Sequence, residues 1–375
     1  MKPKLLLVAD TYYPKVDGTL KFIEEFIKRT PAEFELSLLV PFLGERRGKN
    51  VTYITSSRWI SLSGYPSMKL SFQNIHLIKK TVREADIVFV QGPALISYLS
   101  IYYARRYHKK VIFYVHVIPW DLVGKFLPTI LRTRIAALVK RLGIFFFNRS
   151  DEILVPYHKL RDQLKAEGVK TTMTIAKLGV DINVFSPPTD KKTAKLRLGL
   201  DPHKKVVGYV GRVSREKNVS TLLEAFGKLR NKKEVFLLIV GDGPVIQVQE
   251  FKRTKNCTVT GFVPNVQDYL RAMDVFVMPS LTETTSLATL EAMSTGLPVI
   301  ATKVGFMQRY IIRKYNGMFF PRNSPSILAA KIDQLLQDKE LRRHLGHNAR
   351  KTITYSFSWE RSISKITRIL QEHRP

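Results

Sequence analysis

Two glutamates, Glu283 and Glu291, stand eight positions apart in the stretch SLTETTSLATLEAMSTGLPVIAT, Ser280 to Thr302. A carboxylate near a helix start is favoured by the partial positive charge there, so the pair has a purely local explanation. Carboxylates are also acceptors suited to vicinal hydroxyls, and two of them around a turn of small residues could grip a polyol bound between them. The rest of the chain offers few other sites. No GxGxxG follows either opening strand, since Gly208 and Gly211 have the wrong spacing, and GDGP (Gly241 to Pro244) reads equally as a turn. There is no Walker-type loop, no HExxH, no CxxC pair and no Asp-x-Asp to place a divalent metal on a diphosphate. Any phosphate held here is held by basic side chains and backbone amides.

The elements that must position these residues alternate between short apolar runs and longer amphipathic segments. KLLLVAD reads as a strand, followed by the turn TYYPKVDGT and a helix with apolar positions at Phe22, Ile23, Phe26 and Ile27. FELSLLV, ADIVFVQG, KKVIFYVHV and SDEILVPY are further buried strands. The rhythm breaks at LGVDINVFSPPTDKKTAKLRLGLDPHKK, which holds Pro187 and Pro188 and a run of polar and basic residues. It restarts with KVVGYVGRV, EVFLLIVGDGP, CTVTGFV, DVFVMPS and PVIAT. Such alternation implies α/β architecture with mostly parallel sheets covered by helices on both faces. Two Rossmann-like halves are the economical reading, with ligands expected beyond the carboxyl ends of the strands, in the cleft between the halves.

Length and charge agree with that reading. A chain of 375 residues exceeds one ordinary core. Its single cysteine, Cys257, allows no intramolecular disulfide and suits a reducing compartment. The first apolar run ends at Asp10, too early for a secretory signal, and no apolar segment approaches a membrane span of ~20 residues. These features predict a cytoplasmic protein. The excess of 61 Lys and Arg over 31 Asp and Glu gives a net charge of +30, which selects negatively charged partners without saying which. The cations are spread along the chain, which argues against a disordered nucleic-acid-binding arm.

The second half resembles the retaining glycosyltransferases of family 4, which have the GT-B fold. GRVSREKN resembles the family's Gly-Arg loop with its lysine, and TETTSLATLEAMSTGLPVIAT resembles its paired-glutamate signature. GFVP, DVFVMPS, YNGMFF and LGVDINVFSP follow the family's order, and FSWERSISKITRIL resembles a final helix crossing back to the first domain. The resemblance implies an N-terminal acceptor domain over residues 1–185, joined by 358–375, and a C-terminal donor domain over 186–357. It gives Glu283 the donor sugar and the positive charge developing in its ring, and Glu291 the ribose hydroxyls. Thr285, Ser286 and Leu287 offer backbone amides to the diphosphate, although many relatives have Gly-Phe-Gly-Leu after the first glutamate where this chain has Thr284-Thr285-Ser286-Leu287. Arg212 and Lys217 neutralise the leaving diphosphate without metal, and Val263 lies with the nucleotide-binding segments. Gly18 belongs to a loop near diphosphate and acceptor, and His116 stands beside the donor sugar.

The variant TETxxxxxLEAM, with DTYYPKVDGT near the start, is most similar to relatives that glycosylate membrane lipids. The segment SSRWISLSGYPSMKLSFQNIHLIKK interleaves Trp59, Tyr65 and Phe72 with Lys69 and other cations, a pattern suited to an anionic membrane face. A second segment, GKFLPTILRTRIAALVKRLGIFFFNR, reads either as another such surface or as a packed helix with a solvated basic face. The expected enzyme is a metal-independent hexosyltransferase with no cofactor, a UDP- or GDP-sugar donor, a lipid or glycan acceptor and no nucleic-acid partner. It would act peripherally on the cytoplasmic membrane face. A transferase for soluble acceptors, a nucleotide-sugar epimerase on the same fold and a basic nucleic-acid-binding protein are the alternatives.

Overall fold

The computed structural model describes residues 2–15, 17–30, 33–62, 65–120 and 129–374, without the side chains of 58–62, 65–66 and 129–133. The chain divides into two compact units, Met1–Lys177 with Glu360–Pro375, and Leu178–Trp359.

The first unit is built on an eight-stranded sheet of β1 (Lys4–Ala9), β2 (Glu35–Phe42), β3 (Val51–Leu62), β4 (Tyr65–Met68), β5 (Ile87–Gln91), β6 (Lys110–Tyr114), β7 (Glu152–Val155) and β8 (Met173–Ile175). Its order is β4-β3-β2-β1-β5-β6-β7-β8. All pairings are parallel except β3–β4. The central strands β1, β5 and β6 are buried on both faces, which is why they read as unbroken apolar runs.

The helix Gly18–Arg29 starts at Asp17, whose carboxylate accepts from the amides of Thr19 and Leu20, and ends with Lys28 and Arg29 at the negative end of its dipole. It buries Leu20, Phe22, Ile23 and Phe26. Ile27, expected on the same face, lies in the last turn of the helix and is 41% exposed.

The second unit carries β9 (Lys205–Val210), β10 (Val235–Val240), β11 (Cys257–Val259), β12 (Val275–Met278), β13 (Val299–Thr302) and β14 (Gly317–Phe320). Their order is β11-β10-β9-β12-β13-β14, all parallel, the doubly wound arrangement in which the strand order reverses between β9 and β12. Beneath this sheet Asp274 is buried with Lys195, whose Nζ lies 2.8 Å from its carboxylate and also donates to Lys204 O. The Val206 amide donates to the same Asp274 oxygen and Lys191 Nζ stands 4.0 Å from the other, so the buried ion pair has further polar partners, which favours its toleration.

The first unit ends at Lys177, where the resemblance implies a first domain running to residue 185. The segment between belongs to the second unit because its carbonyls are claimed there. Arg350 donates to Ile182 O and Phe185 O, Arg271 to Val184 O and Ser186 O, and Ser294 Oγ to Phe185 O. At the other end Trp359 N donates to Val180 O and the following helix, to Glu372, continues in the first unit, where Arg29 pairs with Glu360 and Arg374 with Glu33.

Candidate functional site

In the second unit the loops after β9, β10, β12 and β13 all leave the carboxyl ends of their strands, and the reversal between β9 and β12 opens a crevice there. Glu283 lies on the loop after β12. Its Oε1 accepts from Ser280 Oγ at 2.8 Å and from Lys217 Nζ at 2.5 Å, and its side chain is 8% exposed. Lys217 comes from the 3-10 turn Arg215–Lys217 after β9, and Leu281 N donates to Glu216 O across the two loops.

Two buried tyrosines pin this frame. Tyr209 OH donates to Arg212 O and Tyr310 OH to Thr285 O. Burial first, and then the charge of Glu283, pushes both phenols well above their ordinary range, so each remains a hydrogen-bond donor. Arg212 itself turns its guanidinium to Glu216 at 2.9 Å and is half exposed; it stands on the same loop as Lys217 with a separate carboxylate.

The helix Leu287–Ser294 begins at Ser286, which adopts φ +64°, and carries no side-chain cap. The first-turn amides of an uncapped helix are donors without an intrahelical partner, and the helix dipole adds positive potential there. Ser286 Oγ sits 2.8 Å from Thr289 Oγ1. The hydroxyls of Ser214 and Thr285, on loops of this same end, are buried without a hydrogen-bond partner among the described residues. Glu291 lies in the middle of the helix, 4% exposed. Val263 follows β11 next to Gly261, which bridges to Gly241 of the GDGP turn, so both turns meet at the end of β10.

The structure therefore brings Glu283 and Lys217 into contact and sets Thr285, Ser286 and Leu287 at a helix start beside them. Sequence reasoning missed Ser280, which fixes the Glu283 carboxylate from three residues away, and Gly305, which supports the same loop. A Cβ on Gly305 would lie 1.9 Å from Glu283 O, and its φ is +52°.

In the first unit, Gly18 opens the helix capped by Asp17. His116, just past β6, is 8% exposed and places Nε2 2.8 Å from Gln91 Oε1. With the amide oxygen facing the ring, Nε2 carries the proton and Nδ1 is the acceptor. Burial lowers the imidazole to about 3, so it is neutral at physiological pH. Phe72 is 95% exposed at the start of the helix Phe72–Glu84, and Lys69 is exposed in the turn before it. The side chains of Trp59 and Tyr65 lie outside the described residues, although their backbones belong to β3 and β4. Among the described residues no helix is long and apolar enough to cross a membrane.

Comparison with known proteins gives consistent matches. Residues 16–206 match the family model described as Glycosyltransferase Family 4, and residues 190–352 match that of Glycosyl transferases group 1. The chain is 24% identical to alpha-monoglucosyldiacylglycerol synthase of Streptococcus pneumoniae over 90% of this chain and 79% of that one. It is 29% identical to sulfoquinovosyl transferase SQD2 of Arabidopsis thaliana over 75% of this chain and 55% of that one. The crystal structure of HepE from Anabaena in complex with UDP superposes with a TM-score of 0.78 over 98% of this chain and 100% of that one, at 17% identity, a likeness of fold.

Proposed function

The chain belongs to glycosyltransferase family 4 and has the GT-B fold, and from that premise we propose a retaining, metal-independent enzyme that moves a hexose from a nucleotide sugar to a hydroxyl of a membrane lipid. The observation that carries this reading is the Lys217–Glu283 pair beside the uncapped start of the helix Leu287–Ser294, at the switch point of the second sheet. In this reading the helix amides, Lys217 and Arg212 take the diphosphate. Their attraction grows as the leaving oxygen gains charge, which is the requirement for accelerating the chemical step. Glu283 accepts from the sugar's hydroxyls and stabilises positive charge on its ring, while Glu291 accepts from the ribose. The glycosyl–phosphate C–O bond breaks as the acceptor oxygen bonds the anomeric carbon on the same face, and the acceptor's proton leaves on the departing phosphate.

A binding experiment tests the donor half. UDP or GDP at about 100 times its dissociation constant stabilises the native state by about 2.7 kcal/mol, read as a rise in melting temperature that persists in chelator. A nucleotide that shifts nothing at millimolar concentration, for either base, contradicts the reading.

The lipid half is supported by the name of the streptococcal relative, an alpha-monoglucosyldiacylglycerol synthase, and by the first unit's surface. Leu70 and Phe72 are 68% and 95% exposed, beside the exposed cations Lys69, Lys79 and Lys80. Apolar side chains flanked by cations suit an anionic interface, where each cation contributes about 1 kcal/mol. Replacing Leu70 and Phe72 together by serine is expected to weaken binding to anionic vesicles about tenfold and leave the melting temperature unchanged, measured by vesicle sedimentation. Equal binding by the variant would remove this surface from the account.

A further inference from the structure

Asn218 follows Lys217 directly and is the N-cap of the helix Val219–Gly227. Asparagine at such a position ordinarily turns its side-chain oxygen to the amides of the first helical turn. Here the side chain makes no such cap, and the residue adopts φ +53° and ψ +37° in place of an extended conformation. Its amide is directed elsewhere. Nδ2 donates to Pro279 O at 3.3 Å, just past β12, and to Asn323 Oδ1 at 3.2 Å, on the loop after β14. Oδ1 accepts from Thr221 Oγ1 at 3.1 Å. The Pro279 carbonyl can only accept, so it fixes which end of the amide faces it. Asn218 is 9% exposed. Glycine would reach the same left-handed backbone at no steric cost, so the backbone alone does not call for this side chain.

The bond to Pro279 joins the two loops that carry Lys217 and Glu283. Pro279 is followed by Ser280, whose Oγ donates to Glu283 Oε1 at 2.8 Å and whose carbonyl accepts from Thr302 Oγ1. Leu281 N, which donates to Glu216 O at 2.8 Å, joins the same loops a second time. On its own side, Asn218 N donates to Ser214 O and Arg215 O and closes the turn in which Lys217 lies. One side-chain amide thus ties the main chain beside Lys217 to the main chain beside Ser280. Through them it bears on the 2.5 Å contact of Lys217 Nζ with Glu283 Oε1. Lysine carries its charge on a flexible four-carbon stem, so where that charge sits depends on where the backbone is held.

We propose that Asn218 is a positioning residue for sugar transfer, its amide holding Lys217 to Glu283 by clamping together the loops after β9, β12 and β14. This rests on the transferase reading above, in which Asn218 touches no substrate. Without the amide the two loops keep only their backbone bond, and a misplacement of about 1 Å in a catalytic group costs on the order of 10²-fold. Nucleotide binding is spared, because Glu291 and the amides at the start of the helix Leu287–Ser294 lie on another segment.

The experiment is a double-mutant cycle followed by radiolabelled transfer, below the melting temperature of every variant. Asn218→Gly keeps the left-handed backbone and removes the amide. It is expected to lower kcat about 10- to 100-fold while the donor's KM changes less than about threefold. In a Lys217→Ala background the same change is expected to cost less than about threefold, because no lysine remains to be positioned. Asn323→Gly removes one partner and leaves Asn218 in place; if near-ultraviolet circular dichroism shows Asn218→Gly unfolded, it takes that variant's place in the cycle, with a loss of about threefold or more expected beside Lys217. Full kcat in the single variant, or an equal loss in both backgrounds as a purely structural role would give, overturns the inference and leaves the transferase reading standing. A wild type that consumes no nucleotide sugar overturns both, and is measured first.

Discussion

Glu283→Gln is expected to lower sugar transfer about 1000-fold while the donor's KM and the melting temperature change little. Glutamine keeps the shape and can still accept from Ser280 Oγ and Lys217 Nζ, the two partners of Glu283 Oε1. What it loses is the full negative charge next to a ring that becomes positive only in the transition state. Interactions of this kind, preorganised in a site shielded from water, are worth about 10²–10³ in rate when one is removed. Ground-state binding of the nucleotide depends on other groups, so KM is spared. Lys217 retains 21% exposure and finds solvent, which keeps the cost to folding small. Steady-state kinetics with the melting curve as control separate the outcomes, and a loss confined to KM would contradict the role given to this carboxylate.

Gly305→Ala is expected to lower transfer at least about 100-fold, although residue 305 touches no substrate in this account. The added methyl would lie 1.9 Å from Glu283 O and 2.9 Å from Thr284 O, and both are backbone atoms that cannot rotate away. The next residue compounds the constraint, because Phe306 N donates to Thr284 O at 2.8 Å. Either the loop carrying Glu283 shifts or the turn at Gly305 gives up its φ of +52°, which disfavours an L side chain by about 1–2 kcal/mol. A misplacement of about 1 Å in a catalytic group costs on the order of 10²-fold. The measurements are kcat and near-ultraviolet circular dichroism. A fully active, folded variant would mean that the Glu283 loop tolerates displacement and that its fixed geometry is not the source of its effect.

The legibility of this protein in its sequence was uneven for physical reasons. The buried central strands announced themselves, because a parallel strand covered on both faces is apolar at every position, as in KLLLVA and IVFVQ. The strands β3 and β4 did not, since the stretch VTYITSSRWISL of β3 mixes serines, an arginine and aromatics without an unbroken apolar run, and its aromatic–basic pattern drew a membrane reading first. β14 is four residues, GMFF, too short for periodicity to register. The segment Leu178 to Phe185 is held in the second unit by Arg271, Arg350 and Ser294, residues distant in sequence.

The site divides the same way. Glu283 and Glu291 were visible as a spaced pair, and Lys217 as part of an ordered motif. The contact between Lys217 and Glu283 joins residues 66 positions apart and needed the fold.

The most direct test of the whole account is transfer from radiolabelled UDP- and GDP-sugars into an extract of host membrane lipids, in chelator, with wild type and Glu283→Gln side by side. The account predicts label in an organic-soluble product that keeps the donor's anomeric configuration, formed by the wild type and about 1000-fold more slowly by the variant. Label only in water-soluble product would contradict the lipid acceptor. An inverted linkage would contradict retention. No donor consumed by the wild type, together with tight and salt-sensitive binding to nucleic acid, would contradict the central claim.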